Sequence, residues 1–272
     1  MSDWLSADVL VNGLRLHYYR TSGARPPVVL AHGATDDGLC WTALARVLES
    51  DYDVIMPDAR GHGLSAAPTE GYDAATQAAD LAGLIQALDL ERPVVIGHSM
   101  GARTALYLAA GYPDLVRGVG LEDPPFWHPN AQPDEAERAA RLARLRQAAT
   151  ESRQLDRATL IARCREQNPA WSMAEVEPWA AAKQRVSPQF LAALGAPEPT
   201  PWWEVLPRVR CPLLLITGDP ERGAIVTPET AAEAVRRQPR LQVVRIAGAG
   251  HSVRRDRFGP YLEAIRSFLA TV

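Results

Sequence analysis

Apolar positions along this chain change their spacing in a regular way. From Val9 to Tyr19 they alternate with polar residues and are broken by Asn12-Gly13, which predicts two strands joined by a tight turn. Pro27–Ala31 is a short apolar run closed by His32-Gly33, the pattern of a buried strand. Leu39–Leu48 has helical spacing, and Asp53–Met56 is strand-like again. Ala74–Leu88 predicts an amphipathic helix with Leu81, Leu84, Ile85 and Leu88 on one face. A strand over Pro93–Ile96, a helix over Gly101–Ala110 and a strand over Val116–Leu121 continue the alternation.

Strand and helix in strict alternation predict an α/β protein with a mostly parallel, doubly wound sheet covered on both faces. The alternation stops at Pro124-Pro125. Residues 126–205 contain no strand candidate, and helices are expected at Glu135–Ala149 and Arg157–Gln167. The rhythm resumes with a strand at Pro212–Thr217, a helix at Pro228–Arg237, a strand at Leu241–Ile246 and a helix at Tyr261–Leu269. The expected organisation is a core of residues 1–125 and 206–272, with a helical lid, 126–205, inserted after the sixth strand. Such a segment is too long for a plain loop. Trp127, Trp171, Trp179, Trp202 and Trp203 fall in it, either as its own packing or as lining of a pocket beneath it.

Composition narrows the picture. At 272 residues, with 47% hydrophobic, the chain can bury one sizeable core. A net charge of −3 offers no basic field for nucleic acid. Of the 29 basic residues only Lys183 is a lysine. Cys40, Cys164 and Cys211 are too scattered for a disulfide framework or a zinc site. Residues 1–15 show no signal-peptide pattern, and no apolar run approaches a membrane span. The expectation is a cytoplasmic protein with a small-molecule substrate and neither a membrane nor a nucleic-acid partner. With no GxxxxGK[ST], no helix-opening GxGxxG and no HExxH, no cofactor or metal is expected.

The chemistry-bearing residues lie at the ends of the predicted strands. Gly97-His98-Ser99-Met100-Gly101 falls between a strand and a helix, where a nucleophilic serine needs a very tight turn and flanking glycines keep the crowded space clear. The first N–H groups of the following helix suit a developing oxyanion. His32-Gly33-Ala34 ends an earlier strand, so the expected oxyanion hole is the Ala34 and Met100 N–H pair. Serine needs an imidazole base. His251, in Gly248-Ala-Gly-His251 after the last strand, follows the serine in chain order and is the expected base. His17 sits in the first strand pair, His32 and His98 flank the motifs, His62 lies in a glycine-rich turn and His128 is in the lid. Asp36 and Asp37 either line the pocket or cap the helix at Leu39. Arg103 either binds a substrate carboxylate or braces its helix against an acidic neighbour.

The HG turn, the Asp58-Ala-Arg-Gly-His-Gly-Leu-Ser65 turn, GHSMG and the late GAGH together resemble the α/β-hydrolase superfamily over nearly the whole chain. Val11–Arg20, Gly97–Arg103 and Leu121-Glu-Asp-Pro-Pro125 are similar to N-formylmaleamate deformylase-like hydrolases. The resemblance implies a serine hydrolase acting on an ester, lactone or amide/formamide through an acyl-enzyme. A carbon–carbon bond hydrolase or an acyltransferase would use the same three groups, and a ligand-sensing receptor would keep them without turnover. The acid is open. The wider superfamily implies Asp219 or Glu221, after the seventh strand; the deformylase-like group implies Asp123, after the sixth, and Asp123 is the favoured one. Glu122 would face the other side of its strand and serve structure.

Overall fold

Asn12 and Gly13 have positive φ values of 52° and 76°. They fold β1 (Leu5–Val11) back onto β2 (Leu14–Arg20) through a two-residue turn in which Val11 pairs with Leu14. The structure, a computed structural model, describes residues 4–130, 134–196 and 198–272. Residues 1–3, and residues 131–133 and 197 of the expected lid, lie outside the described residues.

The remaining strands are β3 (Pro27–Ala31), β4 (Asp53–Pro57), β5 (Val94–His98), β6 (Gly118–Glu122), β7 (Leu213–Thr217) and β8 (Leu241–Arg245). They form one sheet in the order β1-β2-β4-β3-β5-β6-β7-β8. β3 to β8 pair in parallel, and only the β1–β2 and β2–β4 pairs are antiparallel. The expected mostly parallel sheet is present. β5 and β6 run further than the apolar pattern suggests, because Gly97 pairs with Leu121 and His98 with Glu122. Glycine and histidine are poor strand signals, and the ladder overrides them.

Strand side chains alternate between two packed layers. Val29, Val95 and Leu215 join one with α2 (Ala74–Ala87), α3 (Met100–Gly111) and α9 (Pro228–Arg237). Val28, Leu30, Ile96 and Ile216 join the other with α1 (Thr42–Leu48), α10 (Val253–Asp256) and α11 (Phe258–Leu269). Burial on both faces is why these strands read as continuous apolar runs.

Among the described residues five α-helices stand between β6 and β7: α4 (Glu135–Gln154), α5 (Arg157–Gln167), α6 (Met173–Arg185), α7 (Pro188–Ala193) and α8 (Trp202–Val205). The apolar pattern predicts only the first two, and ends α4 five residues early. α6 carries Pro178 in its interior and buries Glu175 and Lys183, so neither propensity nor polarity marks it as a packed helix. Among the described residues no helix is long and apolar enough to cross a membrane.

Candidate active site

Ser99 links β5 directly to α3 with φ 51° and ψ −110°. A left-handed φ on a residue with a Cβ costs about 1–3 kcal/mol, so surrounding contacts must hold it. Ser99 N donates to Glu122 O at 2.9 Å, and Arg103 N donates to Ser99 O at 3.0 Å. The flanking glycines are required by contact distances. A Cβ on Gly97 would stand 2.3 Å from the Gly101 backbone, and one on Gly101 would stand 2.2 Å from Ala31 O. That second approach also seats the first turn of α3 against the end of β3.

The β3 end continues into the turn at 33–36, closed by Asp36 N donating to Gly33 O at 3.0 Å. His62 Nε2 lies 2.8 Å from Ala34 O and donates to it. Ala34, which carries one of the two expected oxyanion donors, packs against the apolar cluster that holds Met100, which carries the other. Met100 is the first residue of α3, and its N–H has no acceptor within the helix.

Asp123 follows β6, as Ser99 follows β5, and also has a positive φ of 38°. Its carboxylate is fully buried and accepts from Ile225 N at 2.8 Å and Val226 N at 3.0 Å. Oδ2 also meets His251 Nδ1 at 2.6 Å. A proton on Nδ1 leaves Nε2 free to accept one, the tautomer a general base needs. The His251 side chain is 35% exposed. Its carbonyl accepts from His98 Nε2 at 3.0 Å, and the two rings lie 4.8 Å apart. Burial holds the His98 imidazole well below its ordinary value, so it is neutral beside the base.

The other two candidate acids point elsewhere. Asp219 accepts from Gly248 N at 2.6 Å and from Arg245 Nη2 at 2.7 Å, shaping the loop before His251. Those partners, Gly248 N–H foremost, hold its carboxyl below the usual range. Glu221 is exposed on a short 3-10 turn. Of the three carboxylates, the structure brings Asp123 to His251.

Neighbouring polar residues also take defined places. Arg103 Nη1 pairs with Glu198 Oε1 at 2.8 Å, so it braces its helix against an acidic neighbour. Glu198 Oε2 also accepts from Ala74 N at 2.9 Å, at the start of α2. Asp37 caps the 3-10 turn at Gly38–Trp41 by accepting from Leu39 N at 3.1 Å. His62 is buried between the Arg60 and Ala34 carbonyls. Ser6 Oγ lies 3.0 Å from His17 Nε2, and His17 Nδ1 lies 2.7 Å from Asp8 Oδ1. Ser6, however, lies within the regular strand β1, with no helix N-terminus following it.

Sequence reasoning named Glu122 and Asp36 but passed over the buried charges that pair with them. Glu122 and Arg254 are both fully buried and paired at 3.4 Å, with Arg254 N donating to Glu122 Oε1 at 2.9 Å. Asp36, Glu175, Lys183 and Arg255 form a second group. The one available signal was a lone lysine in an arginine-rich chain.

The model of the alpha/beta hydrolase family matches residues 28–263. The chain belongs to that family. It is 31% identical over 267 residues to N-formylmaleamate deformylase of Pseudomonas putida, covering 96% of this chain and 95% of the relative. Over 100 residues, 37% of this chain and 36% of the relative, it is 42% identical to 2-(acetamidomethylene)succinate hydrolase of Mesorhizobium japonicum. Among solved structures, E-2-(acetamidomethylene)succinate hydrolase superposes with a TM-score of 0.85 at 28% identity, covering 98% of this chain and all of that one. The N-formylmaleamic acid deformylase of Pseudomonas putida S16 gives 0.79 at 25%, covering 96% of this chain and all of that one. As a member of this family the chain is a hydrolase of small molecules.

Proposed function

We propose that the protein is a serine hydrolase working through an acyl-enzyme. The observation that carries this is the 2.6 Å contact between His251 Nδ1 and Asp123 Oδ2, made beside a serine held at a strand-to-helix turn. Ser99 Oγ attacks the substrate carbonyl while His251 Nε2 takes the hydroxyl proton. The carbonyl oxygen, now an oxyanion, sits between the Ala34 and Met100 N–H groups. His251 returns the proton to the leaving amine or alcohol. Water then attacks the acyl-Ser99 ester while His251 takes its proton, and His251 passes that proton to Ser99 Oγ as the acid product leaves. Asp123 holds the tautomer and stabilises the imidazolium.

Residues 126–205 act as a lid in this reading. Val186, Phe190 and Leu191 of the insertion, with Ala149 of α4, cluster with Met100 and Tyr72, and Ala34 packs against them. This cluster covers the oxyanion side of the serine with apolar surface and favours a small or medium substrate enclosed away from water. Ester, lactone and amide/formamide bonds all fit these roles. The relatives' names put an N-formyl amide first among the substrates to try.

The test is a hydrolysis panel on the purified protein and its Ser99→Ala variant. It contains 4-nitrophenyl esters, lactones and N-formylmaleamate, with formate release recorded for the last. Turnover abolished by Ser99→Ala, with fluorophosphonate labelling at Ser99, is the expected result. Formate release would select the formamide among the candidates. Turnover that survives Ser99→Ala would overturn the serine mechanism.

A further inference from the structure

The oxyanion turn is held by a group of four buried charges, two of them supplied by the insertion. Lys183 lies in the last turn of α6 and is 7% exposed. Its Nζ donates to Thr35 O at 2.8 Å, to Thr35 Oγ1 at 2.6 Å and to Asp36 Oδ1 at 3.3 Å. The other Asp36 oxygen accepts from Arg255 Nη2 at 3.0 Å, and Arg255 Nε reaches back to Glu175 Oε2, in the first turn of α6, at 3.0 Å. Two cations and two carboxylates are thereby closed into one network. Burial alone would raise the Asp36 carboxyl, but Arg255 and Lys183 hold it well below the usual range.

Through the Asp36 backbone these contacts reach the peptide group that carries the Ala34 N–H. Gly33 O and Ala34 N belong to one rigid plane, so fixing the carbonyl fixes the direction of the N–H. Gly33 O accepts from Asp36 N at 3.0 Å and from His32 Nδ1 at 2.8 Å. The position of Asp36 depends in turn on Lys183 and Arg255. Arg255 also lies over the Trp171 ring, 5.1 Å from its centre; Trp171 Nε1 donates to Asp256 Oδ1 at 2.7 Å, and Asp256 Oδ2 accepts at 2.7 Å from Gly250 N, the residue before His251.

Two facts favour a positioning role over one in stability. Buried ion pairs contribute little net stability against well-packed apolar groups, so stability alone does not account for four buried charges here. The chain also uses arginine almost everywhere else. At this position three acceptors surround one point, which an ammonium can satisfy and a planar guanidinium fork cannot.

We propose that Lys183 is the positioning residue of the oxyanion hole, aligning the Ala34 N–H through Asp36. This rests on the acyl-enzyme reading above. The inserted helix α6 is then a fixed part of the catalytic apparatus.

The experiment compares the full-length protein with Lys183→Met, Lys183→Gln and Thr35→Val, each counted by fluorophosphonate titration of active sites. In Lys183→Met, kcat per titrated site should fall about 10- to 100-fold, the range for displacing a transition-state contact. KM should stay within about threefold, because the contact acts on the transition state. Affinity for a boronate, which places a negatively charged oxygen in the hole, should fall in proportion to kcat. Lys183→Gln, which keeps two donors, should recover part of both. A purely structural role would reduce the number of titrated sites and leave kcat per site unchanged.

A kcat per site within twofold of the parent in Lys183→Met, or an unchanged boronate affinity, overturns the proposal. If Lys183→Met fails to fold, Lys183→Gln and Thr35→Val are judged by the same two readouts. A parent protein that fluorophosphonate does not label overturns the acyl-enzyme reading and this proposal with it. A labelled parent with unaffected variants overturns this proposal alone.

Discussion

Glu122 and Asp123 are consecutive in the chain yet serve opposite sides of the sheet's C-terminal edge. Glu122 closes β6 and pairs with Arg254 at 3.4 Å, whereas Asp123 turns out of the strand with a positive φ and meets His251 at 2.6 Å. Two adjacent carboxylates thus occupy different environments, one holding Arg254 in α10 and the other the imidazole three residues before Arg254. The turn at Asp123 is what separates them.

Asp123→Asn should lower turnover by about 10³–10⁴-fold, because an uncharged amide does not stabilise the imidazolium and its NH2 can donate to Nδ1 and select the wrong tautomer. Asp219→Asn should leave kcat near the parent's and lower the melting temperature, since Asp219 pairs with Arg245 and Gly248. Steady-state kinetics on any ester substrate, beside a thermal scan, distinguishes the two variants.

Glu122→Gln should be costly for a different reason. Arg254 is fully buried, stacks 3.9 Å from the Trp41 ring centre, and would be left without its counter-charge. Breaking a buried pair from one side costs about 3–5 kcal/mol. Urea unfolding of the variant should show that loss, with kcat per titrated active site much less affected.

Gly101→Ala should damage both stability and catalysis. Its new Cβ would lie 2.2 Å from Ala31 O and 2.7 Å from His32 O, and both are backbone atoms with little freedom to move. The expected cost is about 1–3 kcal/mol, with the α3 turn pushed away from the β3 turn. A drop in boronate affinity larger than the change in KM would register the separation of Ala34 from Met100.

His32 should set part of the pH dependence of stability. Nδ1 donates to Gly33 O and Nε2 accepts from Ala59 N, an arrangement only the neutral ring can satisfy. Burial, with His62 adding to it, pushes His32 from 6.5 down to about 3. Between those values the unfolded chain binds a proton that the folded protein does not, so this contribution is lost as pH falls from 6.5 toward 3. Asp37 works in the other direction. Burial, with Asp58 assisting and Arg185 opposing, raises it to about 7, so its contribution grows as pH falls from 7 to 3.8. The comparison that isolates His32 is parent against His32→Gln by urea unfolding between pH 4 and pH 6.5. The variant's slope should be shallower by up to ~1.4 kcal/mol per pH unit, one proton's worth.

Local pattern alone determined the order of strands and helices in the core, the break after Pro125 and the turn that carries Ser99. Each is specified by residues within a few positions of one another, through periodicity, glycine and proline placement, or the crowding of a tight turn. The same local signals underestimated α4 and passed over α6, because these helices pack through charges and isolated apolar residues rather than a continuous stripe. The contact between His251 and Asp123 spans 128 positions, and that between Lys183 and Asp36 spans 147. The motif resemblance favours Asp123 over Asp219 and Glu221, but nothing in one dimension sets any of them beside an imidazole. Only the packed sheet, which places the end of β6 beneath the loop after β8, brings one of them within hydrogen-bond reach.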